Sequence, residues 1–256
     1  RSSVKSAPAK TSNNFVGEVK KSLRTVALWR ALAAEFIGTF LLAAVIITGQ
    51  GQPIIVMFAL VGIVLLLGAL SGAHVNPAIT IGALVTRRIT WIRALGYVIV
   101  QCLGAALAFV TLGAFLGAAG PISEEAQLFG QTAPALFSAV EIASVAGKEW
   151  FVFFAELLGT AILGVAIAST IRSFKNNDRV AGAFTAGIGI FIALMVAISA
   201  ASYAGASAII NPAVAVALQA YDWNAIWSFV AYALAPVIGG VAGFVLYDIV
   251  WGRAKN

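Results

Sequence analysis

The sequence predicts an all-α membrane protein of six transmembrane helices plus two re-entrant half-helices, arranged as an inverted repeat. Three observations carry that prediction: an apolar composition, two apolar segments too short to cross a bilayer, and a motif set written twice. Of 256 residues 61% are hydrophobic and only 10% charged, and the mean hydropathy is +0.97. Soluble domains carry about 25% charged residues, so most of this surface is made for lipid.

Residues 1–28, which include "RSSVKSAPAKTSNNFVGEVKKSLRT", are polar and basic, with no apolar core followed by a cleavage site. They read as a cytoplasmic tail. Apolar stretches of about the 20 residues that a crossing helix needs cover 31–48, 53–70, 94–119, 150–171, 180–201 and 225–247. Two further pieces, 76–86 and 211–220, are about half that length and cannot span alone. The chain therefore divides into a first three-span repeat, 29–119, a connecting loop, 120–148, a second repeat, 149–251, and a C-terminal end, 252–256.

Six spans put both termini on one face, and the basic residues say which. Apart from Lys148, every Lys and Arg falls before span one, before span three, between spans four and five, or after span six, so that face is cytoplasmic. The same distribution accounts for the net charge of +6 without a nucleic-acid partner. Cys102 is the only cysteine and His74 the only histidine, so neither an internal disulfide nor a metal-ligand cluster is expected. No nucleophile, base and orienter can be assembled, and no cofactor or catalytic residue is assigned.

The repeat is explicit. "AAEFIGTFLLAAVI" at 33–46 returns as "FAELLGTAILGVAI" at 154–167, aligning Glu35 with Glu156, Gly38 with Gly159 and Thr39 with Thr160. "NPAIT" at Asn76 returns as "NPAVA" at Asn211, and at the same spacing Tyr97 matches Tyr232, Gln101 matches Pro236 and Gly104 matches Gly239. Each copy has an odd number of spans, so the second copy lies inverted in the membrane.

Asparagine is a favoured N-cap and proline a favoured first helical residue. Asn76-Pro77-Ala78 and Asn211-Pro212-Ala213 are thus helix starts. Each half-helix begins near mid-membrane and runs back to the face its loop came from. Irregular backbone at that depth must be buried in protein or line a wet cavity. Into such a cavity the two asparagines offer amide donors, and the carbonyls of Gly72, Ala73, His74, Ala208, Ile209 and Ile210 offer acceptors. Two helix N-termini aimed at one point repel cations and orient water through its oxygen, which interrupts a proton wire. Glu35 and Glu156 lie inside spans and need partners. Backbone N–H groups of the two loops are the expected ones, with a proton relay as the alternative. Gln101 reads as a further loop brace, and His74 as a ring hydrogen bond plus a pore-facing carbonyl, with a pH gate as the alternative.

The paired Asn-Pro-Ala boxes, "SGAHVNPAIT", the starts "AEFIGTF" and "AELLGT" and the six spans resemble the aquaporin (major intrinsic protein) family over nearly the whole chain. The resemblance implies the hourglass fold and carboxylates that hold the re-entrant loops. It also implies a homotetramer in the lipid bilayer with one pore per subunit, passing water and in some branches glycerol or other small neutral solutes. Most members have an arginine directly after the second box. Here that residue is Val214, and no Lys or Arg occurs between Arg179 and Arg253. The other outer filter positions, carried over by spacing, are Val56, Ser199 and Ala208. The expectation is a wider, less polar outer constriction, with cation exclusion resting on the asparagine pair. Glycerol, urea, ammonia or peroxide would then pass beside water. Two other readings use the same features: an alternating-access transporter, which would need a coupling group that the boxes lack, and a structural tetramer with a closed pore.

Overall fold

Each long apolar stretch becomes a helix, and the helices overrun the hydropathy boundaries at their polar ends. The structure, a computed structural model, describes residues 12–118, 120, 123–130 and 132–253. Positions 1–11 of the expected tail and 254–256 of the expected C-terminal end lie outside the described residues. The rest of the tail contains a helix, α1 (Ser12–Leu23), which its polar composition did not announce. The chain continues through α2 (Val26–Thr48), α3 (Pro53–Ser71), α4 (Pro77–Val85), α5 (Trp91–Ala118) and the short α6 (Glu124–Leu128). A single 3-10 turn, Ile142–Val145, then leads to α7 (Glu149–Lys175), α8 (Arg179–Ser202), α9 (Pro212–Ala217) and α10 (Ile226–Trp251). Among the described residues α2, α3, α5, α7, α8 and α10 are long and apolar enough to cross a membrane. α2 starts at Val26 and α7 runs on to Lys175 because Trp29, Arg30, Arg172 and Lys175 suit a helix end at a membrane surface, which hydropathy alone excludes.

The two repeats pack as counterparts. α2 lies on α5 and α3, as α7 lies on α10 and α8. The half-helices cross over: α4 of the first repeat packs against α10 of the second, and α9 of the second against α5 of the first. Each repeat thus completes the other's core.

The first half-helix ends where expected and the second stops short. α4 stops at Val85, where Arg87 takes a left-handed conformation (φ 58°) and the Arg88 N–H donates back to the Ala83 carbonyl at 2.7 Å. This is the Schellman closure of a helix C-terminus. α9 closes the same way through Gln219 (φ 55°) and an Ala220 N–H to Ala215 carbonyl bond of 2.9 Å, but it ends at Ala217 rather than 220. The early stop lets the chain double back, so that the Tyr221 hydroxyl reaches the Pro212 carbonyl at 3.1 Å.

α10 carries a π turn, Val230–Leu234, just before Pro236. Proline has no N–H, so the Tyr232 carbonyl four residues back loses its helical donor. The Tyr221 hydroxyl also lies 3.1 Å from that carbonyl, so its one proton is shared between the Pro212 and Tyr232 carbonyls.

Gly104 and Gly239, aligned by the repeat, explain why the helix pairs can touch. A Cβ on Gly104 would strike the Phe36 carbonyl of α2, and one on Gly239 the Leu157 carbonyl of α7. These are backbone-to-backbone crossings that only small residues allow. Gly117, in contrast, has nothing within 4 Å of the place a Cβ would occupy. Gly239→Ala should therefore lower stability by about 1–3 kcal/mol, the usual penalty of overpacking. Gly117→Ala should not. The melting temperature of each detergent-solubilised variant reports the difference.

Candidate functional site

The site is built from two loops that enter the protein from opposite ends and are held by the same device. Glu35 on α2 is fully buried. Its Oε1 accepts from the His74 N–H at 2.9 Å and its Oε2 from the Val75 N–H at 2.7 Å. Glu156 on α7, equally buried, accepts from Ile209 N–H at 2.5 Å and Ile210 N–H at 2.7 Å. The loops need this support because Val75 (φ 43°) and Ile210 (φ 52°) are β-branched residues in the left-handed region. That conformation costs roughly 1–2 kcal/mol. Leaving an N–H unpaired away from water costs several kcal/mol, so the bonded, strained loop is the better state. Glycine one turn along each helix makes room for it. A Cβ at Gly38 would sit 2.6 Å from Val75 Cγ1, and one at Gly159 would sit 2.8 Å from Ile210 Cγ2.

Gln101 on α5 braces the first loop, donating from Nε2 to Glu35 Oε2 at 2.7 Å and to Thr80 Oγ1 at 3.0 Å. Its counterpart Pro236 has no such group, so the second loop rests on the carboxyl group of Glu156. The His74 ring lies within α4's own polar cluster, with Nδ1 3.3 Å from Thr80 Oγ1 and the ring edge-on to Tyr97. Tyr97 in turn donates to the Ser71 carbonyl at 2.8 Å, tying down the loop entrance. Every buried side-chain nitrogen and oxygen among the described residues has a hydrogen-bond partner.

Both asparagines cap their own half-helix and reach across to the other. Asn76 Oδ1 accepts from Ala78 N–H at 2.9 Å, and its Nδ2 donates to the Ile210 carbonyl at 2.9 Å. Asn211 Oδ1 accepts from Ala213 N–H at 3.0 Å, and its Nδ2 donates to the Val75 carbonyl at 2.9 Å. An amide NH2 has two donors, so each asparagine keeps one for a solute. Pro77 and Pro212 occupy the first helical positions, with Ala78 and Ala213 behind them fully buried. Two details depart from the expectation. The Ile210 carbonyl carries a bond from Asn76 that the sequence does not announce, and the Val75 carbonyl plays the matching part for Asn211. Ala73 is buried, its N–H taken by Ser71 Oγ at 2.9 Å, and Gly72 is the left-handed residue (φ 94°) that turns the chain out of α3.

Beside the asparagines lies a neck of ≈ 10 Å³, about the least that holds one water molecule. His74, Asn76 and Asn211 supply its polar edge, and Leu42, Leu60, Ile79, Leu163, Ile167 and Ile190 its apolar wall. Toward the connecting loop it is succeeded by a cavity of ≈ 340 Å³, to which Val56, Ala208, Ile209 and Val214 all contribute. Ser199 does not belong with them. It is exposed on the outer side of α8, and Leu194 and Ile198 face the cavity instead. The reason is helical register: Ile190, Leu194 and Ile198 recur every four residues along one stripe, and Ser199 is about 100° away from it. That stripe was readable in the sequence. Phe137 was not, because it comes from the connecting loop, which is pinned over the opening by an Ala139 N–H to Leu218 carbonyl bond of 3.0 Å and a Val140 N–H to Ser207 Oγ bond of 2.9 Å. Among the described residues, no Lys, Arg, Asp or Glu lines this cavity.

Six apolar helices, two half-helices meeting at capped asparagines and a one-water neck beside a wider cavity define a passive membrane channel for water and small solutes. The chain belongs to the major intrinsic protein family, whose sequence profile matches residues 22–247. It is 30% identical over 223 residues to glycerol uptake facilitator protein-like 6 of Lactiplantibacillus plantarum, covering 83% of this chain and 94% of that one. It is also 30% identical to aquaporin-4 of Mus musculus, over 90% of this chain and 70% of the other. Among solved structures, the aquaglyceroporin from Plasmodium falciparum shares the fold with a TM-score of 0.62 at 20% identity, covering 88% of this chain and 97% of that one.

Replacing Glu156 by Gln puts an NH2 group where an acceptor must face a backbone N–H. It should lower stability by about 1–3 kcal/mol. Tyr221→Phe removes the hydroxyl that serves the Pro212 and Tyr232 carbonyls and should cost about 1 kcal/mol. Thermal unfolding in detergent measures both, and a Glu156→Gln protein as stable as the parent would contradict the bracing role.

Proposed function

We propose that this channel conducts uncharged solutes of the size of glycerol or urea as well as water. The observation that carries the reading is the ≈ 340 Å³ outer cavity walled by Val56, Val214, Leu194, Ile198 and Phe137 without a charged group. An arginine at position 214 would fill part of that space and hold water tightly through its donors. With valine there, the carbon face of a polyol meets apolar wall while its hydroxyls meet the Ala208 and Ile209 side of the loop.

Cations are excluded at the neck. The asparagine amides offer it N–H donors, which cannot replace the oxygens that hydrate a cation, and its walls are aliphatic. The two half-helix N-termini add a positive potential at the same point. A water that accepts from both asparagines turns its protons away from the centre in both directions, so a proton wire is broken there. Gly72, Ala73, His74 and Ile209 line the approach through their backbone, and Glu35, Glu156 and Gln101 hold that backbone in place.

Both termini are assigned to the cytoplasm. Arg87, Arg88, Arg172, Lys175 and Arg253 all surround one cavity at the opposite end from Val214, as the positive-inside bias requires. A homotetramer with one pore per subunit is the assembly proposed from family membership.

Stopped-flow swelling of proteoliposomes tests the solute range. Glycerol and urea should permeate with water, and Val214→Arg should reduce glycerol permeability about tenfold more than water permeability. A parent protein that passes water and rejects both larger solutes would overturn the proposal.

A further inference from the structure

The inner end of the protein is the chemical opposite of the outer one. A cavity of ≈ 220 Å³ lies among the ends of α4, α7 and α10, and it is lined by Arg87, Arg88, Arg172, Lys175 and Arg253. Five positive charges thus meet in one hollow. Asp248 pairs with one of them: its two oxygens take Arg88 Nη1 at 3.2 Å and Nη2 at 2.6 Å.

The arginines are positioned rather than loose. Arg88 is fixed by that bidentate pair and by the Phe244 ring, whose centroid is 5.1 Å from its guanidinium carbon. Arg172 Nη1 donates to the Trp251 carbonyl at 3.1 Å, and Arg253 Nη2 donates to the Thr86 carbonyl at the end of α4. Carbonyl partners hold a guanidinium in place without cancelling its charge. Each uses only part of the five-donor fork, and the remaining N–H groups are what a phosphate binds in pairs.

We propose that this cavity is a binding site for a multivalent phosphate anion, and that the bound anion closes the inner end of the pore. Like charges held together in a partly enclosed space repel, and a di- or trivalent oxyanion relieves that repulsion where chloride does so poorly. Basic pockets between transmembrane helices at the cytoplasmic side are also where anionic lipid headgroups bind. A phosphate monoester or diphosphate, whether a soluble ion or the headgroup of a phosphoinositide, has the matching chemistry. The link to conduction is α7. Leu163 and Ile167 line the neck, and Ile171, one turn further along the same stripe, lines the basic cavity. Closure rests on the channel reading above; binding does not.

Two measurements separate them. Isothermal titration of the detergent-purified protein with inorganic pyrophosphate should give saturable binding that chloride at equal ionic strength does not reproduce. Arg87→Gln, and separately Arg172→Gln combined with Lys175→Gln, should weaken it about fivefold for each charge removed. In phosphatidylcholine vesicles, water permeation with pyrophosphate on both sides should slow in proportion to occupancy, and the same variants should lose that response. A parallel set of vesicles containing phosphatidylinositol 4,5-bisphosphate identifies the source: slowing there but not with pyrophosphate assigns the site to a lipid headgroup. The proposal falls if neither phosphate binds nor slows the flux, if both sets of variants respond like the parent, or if pyrophosphate binds and water flux is unchanged in both sets of vesicles. Vesicles with no water conduction at all would break the channel reading instead, and the binding constants would still decide the site.

Discussion

The structure depends on one constraint: a backbone that leaves its helix in the middle of a membrane must find every hydrogen-bond partner inside the protein. Glu35 and Glu156 meet it by presenting both carboxyl oxygens to consecutive N–H groups. The carbonyls that follow, of Val75 and Ile210, are taken by the asparagine of the opposite half. Neither loop is complete alone. Each half-helix supplies the group that satisfies the other's last irregular residue, which is why the two N-termini meet at a fixed separation. Left-handed valine and isoleucine persist there because the bonds that would be lost on relaxing are worth more than the strain.

Around that fixed centre the two halves have diverged. Gln101 reinforces the first loop, while the second repeat has Pro236, a π turn and the hydroxyl of Tyr221 in its place. α9 is shorter than α4, and the space it leaves becomes part of the apolar outer cavity bounded by Leu218 and Val214. At the other end the longer α4 delivers Arg87 and Arg88 to the basic cavity. A frame with near two-fold symmetry therefore ends in an uncharged mouth on one side and a cationic one on the other. The neck between them is narrow and is lined by no charged residue among the described residues.

Much of this was legible in the residues. Span number, the inverted repeat, the half-helix starts and the carboxyl braces follow from composition, periodicity and the alignment of Glu35 with Glu156, because each is a local rule or a comparison of two segments. What was missed has specific causes. α1 is polar and carries no hydropathy signal. α9 stops early because Gln219 turns left-handed, which its residue type does not advertise. Gly113 and Gly117 share the spacing of Gly239 and Gly243, yet only the second pair meets another helix closely, at Leu157 and Ala161. Spacing gives the possibility of contact, and the partner decides it.

By itself the sequence determined that the chain crosses a membrane six times, that its halves oppose each other, and that Asn76 and Asn211 begin the two half-helices, since hydropathy, parity and capping chemistry require nothing from distant residues. Only the tertiary structure decided which side of α8 faces the passage, that Phe137 closes over the outer cavity, and that five basic residues from three separate helix ends share one hollow. Those outcomes depend on helix rotation and on contacts between segments far apart in the chain, which no local pattern encodes.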